Sequence, residues 1–177
     1  MDSVDKLQEE NLFRLAIEAA PTGMMMVAVD GKITLVNQQI EKLFGYQRSE
    51  LIGQRVEILI PERFRPKHPG YRAGFASDPK ARSMGSGRDL FGLRKDGTEV
   101  PIEIGLNPIN TSEGTFVLSS IVDITERKRA EEQFRLAIEA APTGMMMVSE
   151  DGKIILVNAQ IEKLFGYRRS ELINQPV

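Results

Sequence analysis

Apolar and polar positions in the first fifth of the chain follow two different periods. In residues 3–20 leucine and isoleucine recur among charged residues at helical spacing, and Pro21 ends this amphipathic pattern. Two short apolar runs, residues 24–29 and 32–36, then flank the turn pair Asp30-Gly31. An Asp-Gly pair between apolar runs predicts a β-hairpin after the helix.

The middle of the chain is predicted to be helical. Asn37 provides an N-cap and Gly45 a C-terminal stop for a short helix. Residues 62–76 indicate a second helix, interrupted around Pro66 and Gly70. Neither segment has the length or the period of a long bundle helix, so we expect short helices packed on another layer.

Three more strands are predicted after these helices. Residues 88–94 and 99–106 flank the turn Lys95-Asp96-Gly97, and residues 115–122 follow a second turn. The alternating helices of a parallel sheet are missing from this order. We therefore predict an α+β fold, with a five-stranded antiparallel sheet and helices wrapped on one face.

A long internal repeat organises the chain. Residues 13–56 recur as residues 134–177, an offset of 121 residues (134 − 13), with seven substitutions. A period of this length indicates a duplicated domain and not a solenoid. Residues 57–129 have no second copy, so residues 142–177 are expected to be a truncated fragment. Two strands leave an open edge and an exposed apolar face, so we expect marginal stability, or rescue by another chain.

A charged segment joins the two copies. In residues 125–141 the acidic side chains of Glu126 and Glu131 lie at salt-bridging spacings from basic ones, which predicts a linker helix. It is either a solvated connector or a signalling helix that pairs with its twin in a homodimer. The predicted domains are an N-terminal helix (1–20), a complete domain (21–124), this linker (125–141) and the fragment (142–177).

Composition narrows the function classes. Lys and Arg total 23 against 25 Asp and Glu, a formal charge of −2, which argues against a nucleic-acid surface. No apolar run approaches the ~18 residues of a membrane span, and the acidic N-terminus is unlike a signal peptide. We therefore expect a cytoplasmic chain. A single histidine, His68, excludes a metal centre with several histidines in one chain.

Short motifs in a fixed order give the chain its family resemblance. They are Ala20-Pro21-Thr22-Gly23, Asp30-Gly31-Lys32-Ile33, Leu35-Val36-Asn37, Phe44-Gly45-Tyr46, Glu50-Leu51-Ile52-Gly53, Arg94-Lys95-Asp96-Gly97, Val100-Pro101-Ile102-Glu103 and Asp123-Ile124-Thr125-Glu126-Arg127. Each motif alone is weakly specific, but the ordered set, which covers most of the first copy, resembles PAS domains of the bacterial S-box type.

The resemblance implies a sensory or relay module of a signal-transduction protein, of the histidine kinase or diguanylate cyclase type. It implies a pocket between the sheet and its helices, and a signal that leaves through Asp123, Ile124, Thr125 and Arg127 into the linker helix. The sequence contains no nucleotide-binding loop or catalytic histidine box, so we expect the chain itself to be no enzyme. Its expected partners are its own copy, through Leu12, Phe13, Phe134 and Ile138, and neighbouring PAS or output domains.

A second resemblance is local and concerns haem. His68 and Tyr71 lie in a Pro-Glu-x-x-Arg-x-x-His-x-x-Tyr context similar to that of FixL-type haem-PAS oxygen sensors. This resemblance implies haem as cofactor, with His68 as the iron ligand and the second axial position open for oxygen. It places Arg88 where it can donate a hydrogen bond to bound gas, and Ile104 and Leu106 on the distal wall.

The same residues have a structural interpretation. His68 can instead cap a helix, and Arg88 can pair with a carboxylate such as Glu62 or Asp89. Three functions therefore remain open: a sensor of a small organic ligand, a haem-based gas sensor, and a ligand-free dimerisation and interaction module.

Two further features bear on the ligand. Met84 and Ser86 stand where FixL-type sensors carry branched aliphatic residues, which implies a looser or more polar distal wall. The chain has no cysteine, which excludes the flavin photochemistry of PAS domains that form a cysteinyl adduct.

Overall fold

The structure is a computed structural model that describes residues 3–84, 89–111 and 114–177. It divides into two compact units, Met1–Thr125 and Glu126–Val177. No helix in the described part of the chain is long and apolar enough to cross a bilayer.

The described residues of the first unit form four α-helices and six strands. The helices are α1 (Ser3–Ala19), α2 (Gln38–Phe44), α3 (Arg48–Leu51) and α4 (His68–Ser77), with 3-10 helices at Val56–Leu59 and Glu62–Lys67. The strands are β1 (Gly23–Ala28), β2 (Ile33–Val36), β3 (Arg82–Met84), β4 (Leu90–Leu93), β5 (Glu99–Thr111) and β6 (Gly114–Asp123). The predicted hairpin is β1-β2, and Asn37 and Gly45 cap α2 as predicted.

The sheet is antiparallel, with the order β2-β1-β6-β5-β3, and β4 also pairs with β5. In the part of the chain that the structure describes, the sheet has six strands and not the predicted five. The extra strand is β3, which pairs with 104–106, while β4 pairs with 99–102 on the same edge of β5. Because β5 is 13 residues long, its edge accommodates two short strands end to end. The three residues of β3 are too few to show an alternating pattern in the sequence.

The core of the first unit lies between the sheet and the short helices. Phe44 of α2 is 1% exposed, and its ring faces Gly92 of β4. A Cβ built on Gly92 would lie 2.5 Å from Cε1 of Phe44. A glycine at this position of β4 therefore lets the aromatic ring of α2 reach the sheet.

The second unit contains the linker helix and the start of the second copy. Its elements are α5 (Thr125–Ala140), β7 (Met146–Val148), β8 (Ile154–Val157), α6 (Ala159–Phe165) and α7 (Arg169–Leu172). Local structure follows the first copy, since Asn158 and Gly166 cap α6 as Asn37 and Gly45 cap α2. Its larger aromatic side chains remain uncovered: Phe165, the counterpart of Phe44, is 58% exposed.

Candidate ligand pocket

A largely apolar cavity of about 150 Å³ lies in the first unit. β1 contributes Met25 and Val27 to its walls, and β5 contributes Ile104 and Leu106. Ile104 and Leu106 are two residues apart on one strand, so they project from the same face of the sheet. The sheet therefore supplies one continuous apolar wall.

Helix α4 supplies the opposite wall. His68, Tyr71, Arg72 and Phe75 all line the cavity, at helical positions i, i+3, i+4 and i+7. This spacing places four side chains on one face of a helix. Phe75 is the buried residue of α4, and the three polar side chains lie one and two turns before it.

The cavity brings together most of the residues named by the haem resemblance. His68, Tyr71, Ile104 and Leu106 line it. Met84 lines it as well, whereas Arg88 and Ser86 lie outside the described residues.

His68 caps a helix through its backbone: it is the C-cap residue of the 3-10 helix Glu62–Lys67, where its N–H donates to the carbonyl of Arg65. Its imidazole does not cap α4, because Lys67 occupies the N-cap position and His68 is the first residue of that helix. The His68 Nδ1 atom lies 2.9 Å from Oε1 of Glu57. Its polar partner is therefore a carboxylate on another element. Glu62, one of the carboxylates suggested for Arg88, lies 3.9 Å from Arg65.

Glu57 is a residue of the candidate site that the sequence did not indicate. It lies on the 3-10 helix Val56–Leu59, and its Oε1 atom also accepts a hydrogen bond from Nε of Arg72 at 3.0 Å. Its side chain is 13% exposed, and within the described residues its buried Oε2 atom has no hydrogen-bond partner. Burial raises the pKa of Glu57, but the hydrogen bonds from His68, from the backbone of Glu57 and from Arg72, together with the Arg72 charge, outweigh it, so the pKa lies below its ordinary value. Residues 68 and 72 share helical spacing, but no periodicity links either of them to residue 57, so no sequence signal pointed to Glu57.

The carboxylate determines which nitrogen of His68 carries a proton. An ionised carboxylate accepts hydrogen bonds only, so Nδ1 of His68 is the donor. In the neutral ring Nε2 then carries the lone pair. Metal-binding histidines commonly donate their other ring N–H to a carboxylate in this way. His68 is therefore chemically suited to bind iron through Nε2.

Arg72 joins α4 to the β1-β2 hairpin. Its Nη1 atom donates to the carbonyl oxygen of Val29 at 3.1 Å. A Cβ built on Gly31 would lie 2.5 Å from Cζ of Arg72, and the φ of Gly31 is +89°. Gly31 thus provides both the left-handed turn and the space for the guanidinium.

The predicted signalling residues lie at the end of the sheet. Asp123 lies 3.3 Å from Nη2 of Arg94 and accepts a hydrogen bond from the N–H of Thr125 at 2.8 Å. Ile124 is buried, and its N–H donates to the carbonyl of Pro101. Arg127, in the second unit, lies 3.8 Å from Glu131.

Family models agree with this architecture. A model described as "PAS domain" matches residues 21–126, and one described as "PAS fold" matches residues 132–177. The chain therefore belongs to the PAS family.

Curated relatives place the chain among signalling proteins. The oxygen sensor protein DosP of Escherichia coli (strain K12) is 27% identical over 92% of this chain and 21% of its own length. The sensor protein FixL of Bradyrhizobium diazoefficiens is 28% identical over 71% of this chain and 25% of its own length. A blue-light-activated histidine kinase of Brucella anthropi is 23% identical over 94% of this chain. The resemblance to FixL-type sensors is confirmed, and the chain is a PAS module of sensory signal transduction.

The chain spans only about a fifth to two fifths of the length of these relatives.

Solved structures confirm the fold. The PAS domain of an HTR-like protein from Haloarcula marismortui matches 68% of this chain and 96% of its own, with a TM-score of 0.57 and 23% identity. A PAS domain from Colwellia psychrerythraea also matches with a TM-score of 0.57, at 21% identity over 68% of this chain and 99% of its own.

Proposed function

We propose that the first PAS unit senses a small apolar molecule that enters the cavity between α4 and the sheet. The observation that carries this proposal is the size and lining of the cavity, about 150 Å³ with mainly apolar walls. An apolar cavity of this size is known to hold a molecule such as benzene, whereas pockets for drug-sized ligands run from about 300 Å³ upward. Small ligands are therefore the class that matches the volume.

Helix α4 is the wall that responds to such a ligand. Phe75 anchors it in the core, and polar contacts from His68 and Arg72 reach Glu57. A ligand against this face repacks Phe75 and changes the geometry of the Glu57 contacts. Binding would thereby reach both the Val56–Leu59 segment and, through Arg72, the β1-β2 hairpin.

Benzene is a suitable probe for the cavity. In methyl NMR of the whole chain we expect benzene to shift the signals of Met25, Met84 and Ile104. Ile104→Phe should abolish the shifts of Met25 and Met84 by filling the space. Ile155→Phe, on an exposed position of β8, is the matched control and should leave them intact. Shifts spread over surface methyls, or equal shifts in Ile104→Phe, would contradict the proposal.

Haem is the second candidate, favoured by the contact between His68 and Glu57. The carboxylate holds the tautomer in which Nε2 has a free lone pair, so His68 is the residue that would hold the iron. When bound, haem would supply an iron centre for a diatomic gas. Because the cavity is smaller than haem, binding would require α4 to move outward, with Tyr71 and Phe75.

An absorption spectrum after haem reconstitution tests this candidate. A sharp Soret band that responds to oxygen or carbon monoxide and disappears in His68→Ala would support it. Glu57→Gln should retain the band with weaker haem affinity, by about 10- to 100-fold for a lost outer-shell partner. An equal band in His68→Ala would exclude His68 as the ligand.

We also propose that the chain is an input module without catalytic activity of its own, and that it forms a homodimer. Leu12 and Leu15 of α1 are among its exposed apolar side chains, as is Phe134 of α5. Ile138, which the sequence also suggested for this surface, is buried. Sedimentation of Leu12→Glu and Phe134→Glu beside the parent chain tests the dimer: a monomer in either variant supports it, and an unchanged mass in both refutes it.

A further inference from the structure

A fully buried asparagine connects three elements of the first unit. The Oδ1 atom of Asn37 accepts hydrogen bonds from the N–H groups of Met24 at 2.9 Å and Ile40 at 3.2 Å. Its Nδ2 atom donates to the carbonyls of Ile17 at 3.1 Å and Thr22 at 2.9 Å. One side chain therefore joins the end of α1, the start of β1 and the first turn of α2.

The second unit repeats this arrangement with its own residues. Oδ1 of Asn158 accepts from the N–H groups of Met145 at 2.9 Å and Ile161 at 3.2 Å. Nδ2 of Asn158 donates to the carbonyls of Ile138 at 3.1 Å and Thr143 at 2.9 Å. The helix held here is α5, the linker.

An arginine supports each asparagine from the surface. Arg48 lies 3.0 Å from Glu18 of α1 and 3.3 Å from Glu41 of α2. Glu18 also accepts a hydrogen bond from the N–H of Gln38 at 3.2 Å. The carboxylate of Glu18 therefore links the last turn of α1 to both α2 and α3.

The linker has an equivalent ionic contact. Arg169 lies 2.9 Å from Glu139 of α5 and 2.9 Å from Glu162 of α6. The repeat conserves every side chain of this contact at an offset of 121 residues (169 − 48). The asparagine and arginine contacts together, Asn37-Arg48-Glu18 and Asn158-Arg169-Glu139, are called the helix clamp below.

We propose that the helix clamp is the contact through which each PAS unit receives motion from the helix that precedes it. Asn37 holds the end of α1 and, in the same set of hydrogen bonds, the backbone of Met24 and of Ile40. Met25 and Phe44, on the two elements so held, line the ligand cavity. Displacement of the helix end therefore reaches two walls of the pocket, and a ligand that moves those walls acts on the helix.

The asparagine contributes most of the coupling. It is completely buried, so removing its amide leaves backbone donors and acceptors unsatisfied away from water. Arg48 and Glu18 are each 43% exposed, and solvent weakens such pairs. The asparagine therefore contributes most of the free energy that keeps the helix end in place, and the arginine adds a smaller contribution.

In the tandem chain the clamp gives the linker helix two defined ends. Helix α5 begins directly after Asp123 and Ile124 of the first unit, and Ile138 near its other end is held by Asn158. Its 16 residues correspond to about 24 Å of helix. Isolated helices of this length are marginally stable in water, so the clamp controls how far α5 remains folded.

Amide hydrogen exchange of the whole chain, read by mass spectrometry, tests the proposal. We expect Asn158→Ala to accelerate exchange in residues 134–140 and 145–161 together, by about tenfold or more. Arg169→Gln should accelerate the same two segments by about two- to fivefold. Lys163→Gln removes an exposed cation from α6 and should change neither.

Asn158→Ala and Arg169→Gln together distinguish the loss of the clamp from general unfolding. Since Asn158→Ala can unfold the second unit as a whole, Arg169→Gln provides the milder perturbation, and peptides of the first unit serve as the internal reference. The proposal is overturned if the hairpin segment 145–161 accelerates in Arg169→Gln while residues 134–140 keep the exchange rate of the parent chain. It is overturned equally if Lys163→Gln reproduces the effect of Arg169→Gln.

Discussion

Glu57 and His68 meet at 2.9 Å, Oε1 to Nδ1, on two elements that the sequence does not connect. The same carboxylate oxygen lies 3.0 Å from Nε of Arg72. One acidic side chain therefore attaches helix α4 to the Val56–Leu59 segment. The contact therefore connects one wall of the cavity to a neighbouring segment of the fold.

The Glu57 cluster predicts a dependence of stability on pH. The pKa of the Glu57 carboxyl is lowered in the folded unit, so ionised Glu57 stabilises the fold at pH values above the ordinary glutamate pKa. This stabilisation is lost as the pH falls through the lowered pKa. Glu57→Gln should cost about 1–3 kcal/mol at neutral pH and should flatten the loss of stability in acid below about pH 4.3. Urea unfolding between pH 3 and 7 measures both effects.

Glu62→Gln is the control for this experiment, because the Glu62 side chain is 87% exposed and should change stability little at any of these pH values. An acid profile of Glu57→Gln that coincides with the parent profile would show that the cluster does not contribute.

The two copies offer a matched test of burial. Phe44→Ala should destabilise the first unit by about 3–5 kcal/mol, since the ring is 1% exposed and its loss leaves a cavity. Phe165→Ala, at the same position of the repeat but 58% exposed, should change the second unit by no more than about 0.5 kcal/mol. Hydrogen exchange resolved by unit measures each free energy. Comparable losses at the two positions would mean that Phe165 is covered in solution.

Two glycines predict changes of opposite sign. Gly92→Ala forces a methyl against the ring of Phe44 and should cost about 1–3 kcal/mol. Gly74→Ala lies within α4, where a Cβ meets nothing within 4 Å, so it should stabilise the unit by about 0.4–1 kcal/mol through higher helix propensity. The free energies of urea unfolding compare the two directly. A stabilising Gly92→Ala would refute the close packing of α2 on β4.

The hairpin glycines isolate the contribution of Arg72. Gly31→Ala and Gly152→Ala place the same methyl at left-handed φ values of +89° and +78°. Each substitution should lower the free energy of unfolding by about 1–2 kcal/mol, because alanine is strained in the left-handed backbone conformation. Gly31→Ala should lose more, because its Cβ also displaces the guanidinium of Arg72. Equal losses in unit-resolved hydrogen exchange would mean that Arg72 moves aside at no cost.

Much of the local structure follows from short-range rules. The Asp30-Gly31 turn, the Asn37 cap and the Gly45 stop each depend on residues a few positions apart, so the sequence predicted the β1-β2 hairpin and α2. The sequence also contains the information that residues 68, 71, 72 and 75 share one face of α4, because they have helical spacing. The extra strand β3 could not be predicted from local sequence, since its pairing depends on the length of β5.

The polar part of the pocket depends on tertiary structure. Glu57 became its central residue only because the 3-10 helix packs beside α4, eleven residues further along the chain. Neither propensity nor periodicity carries that information. The sequence identified His68 as a candidate and left its partner open.

The repeat separates the two contributions most clearly. The segment Ile-Glu-Lys-Leu-Phe-Gly-Tyr occurs in both copies, and in both it forms a capped helix, because helix propensity and capping act within a few residues. Yet the phenylalanine in that segment is 1% exposed as Phe44 and 58% exposed as Phe165. The sequence by itself determined the helix and its caps. Burial was decided by the tertiary structure, because β4 and β5 pack near Phe44, whereas the described sheet around the second copy has only β7 and β8.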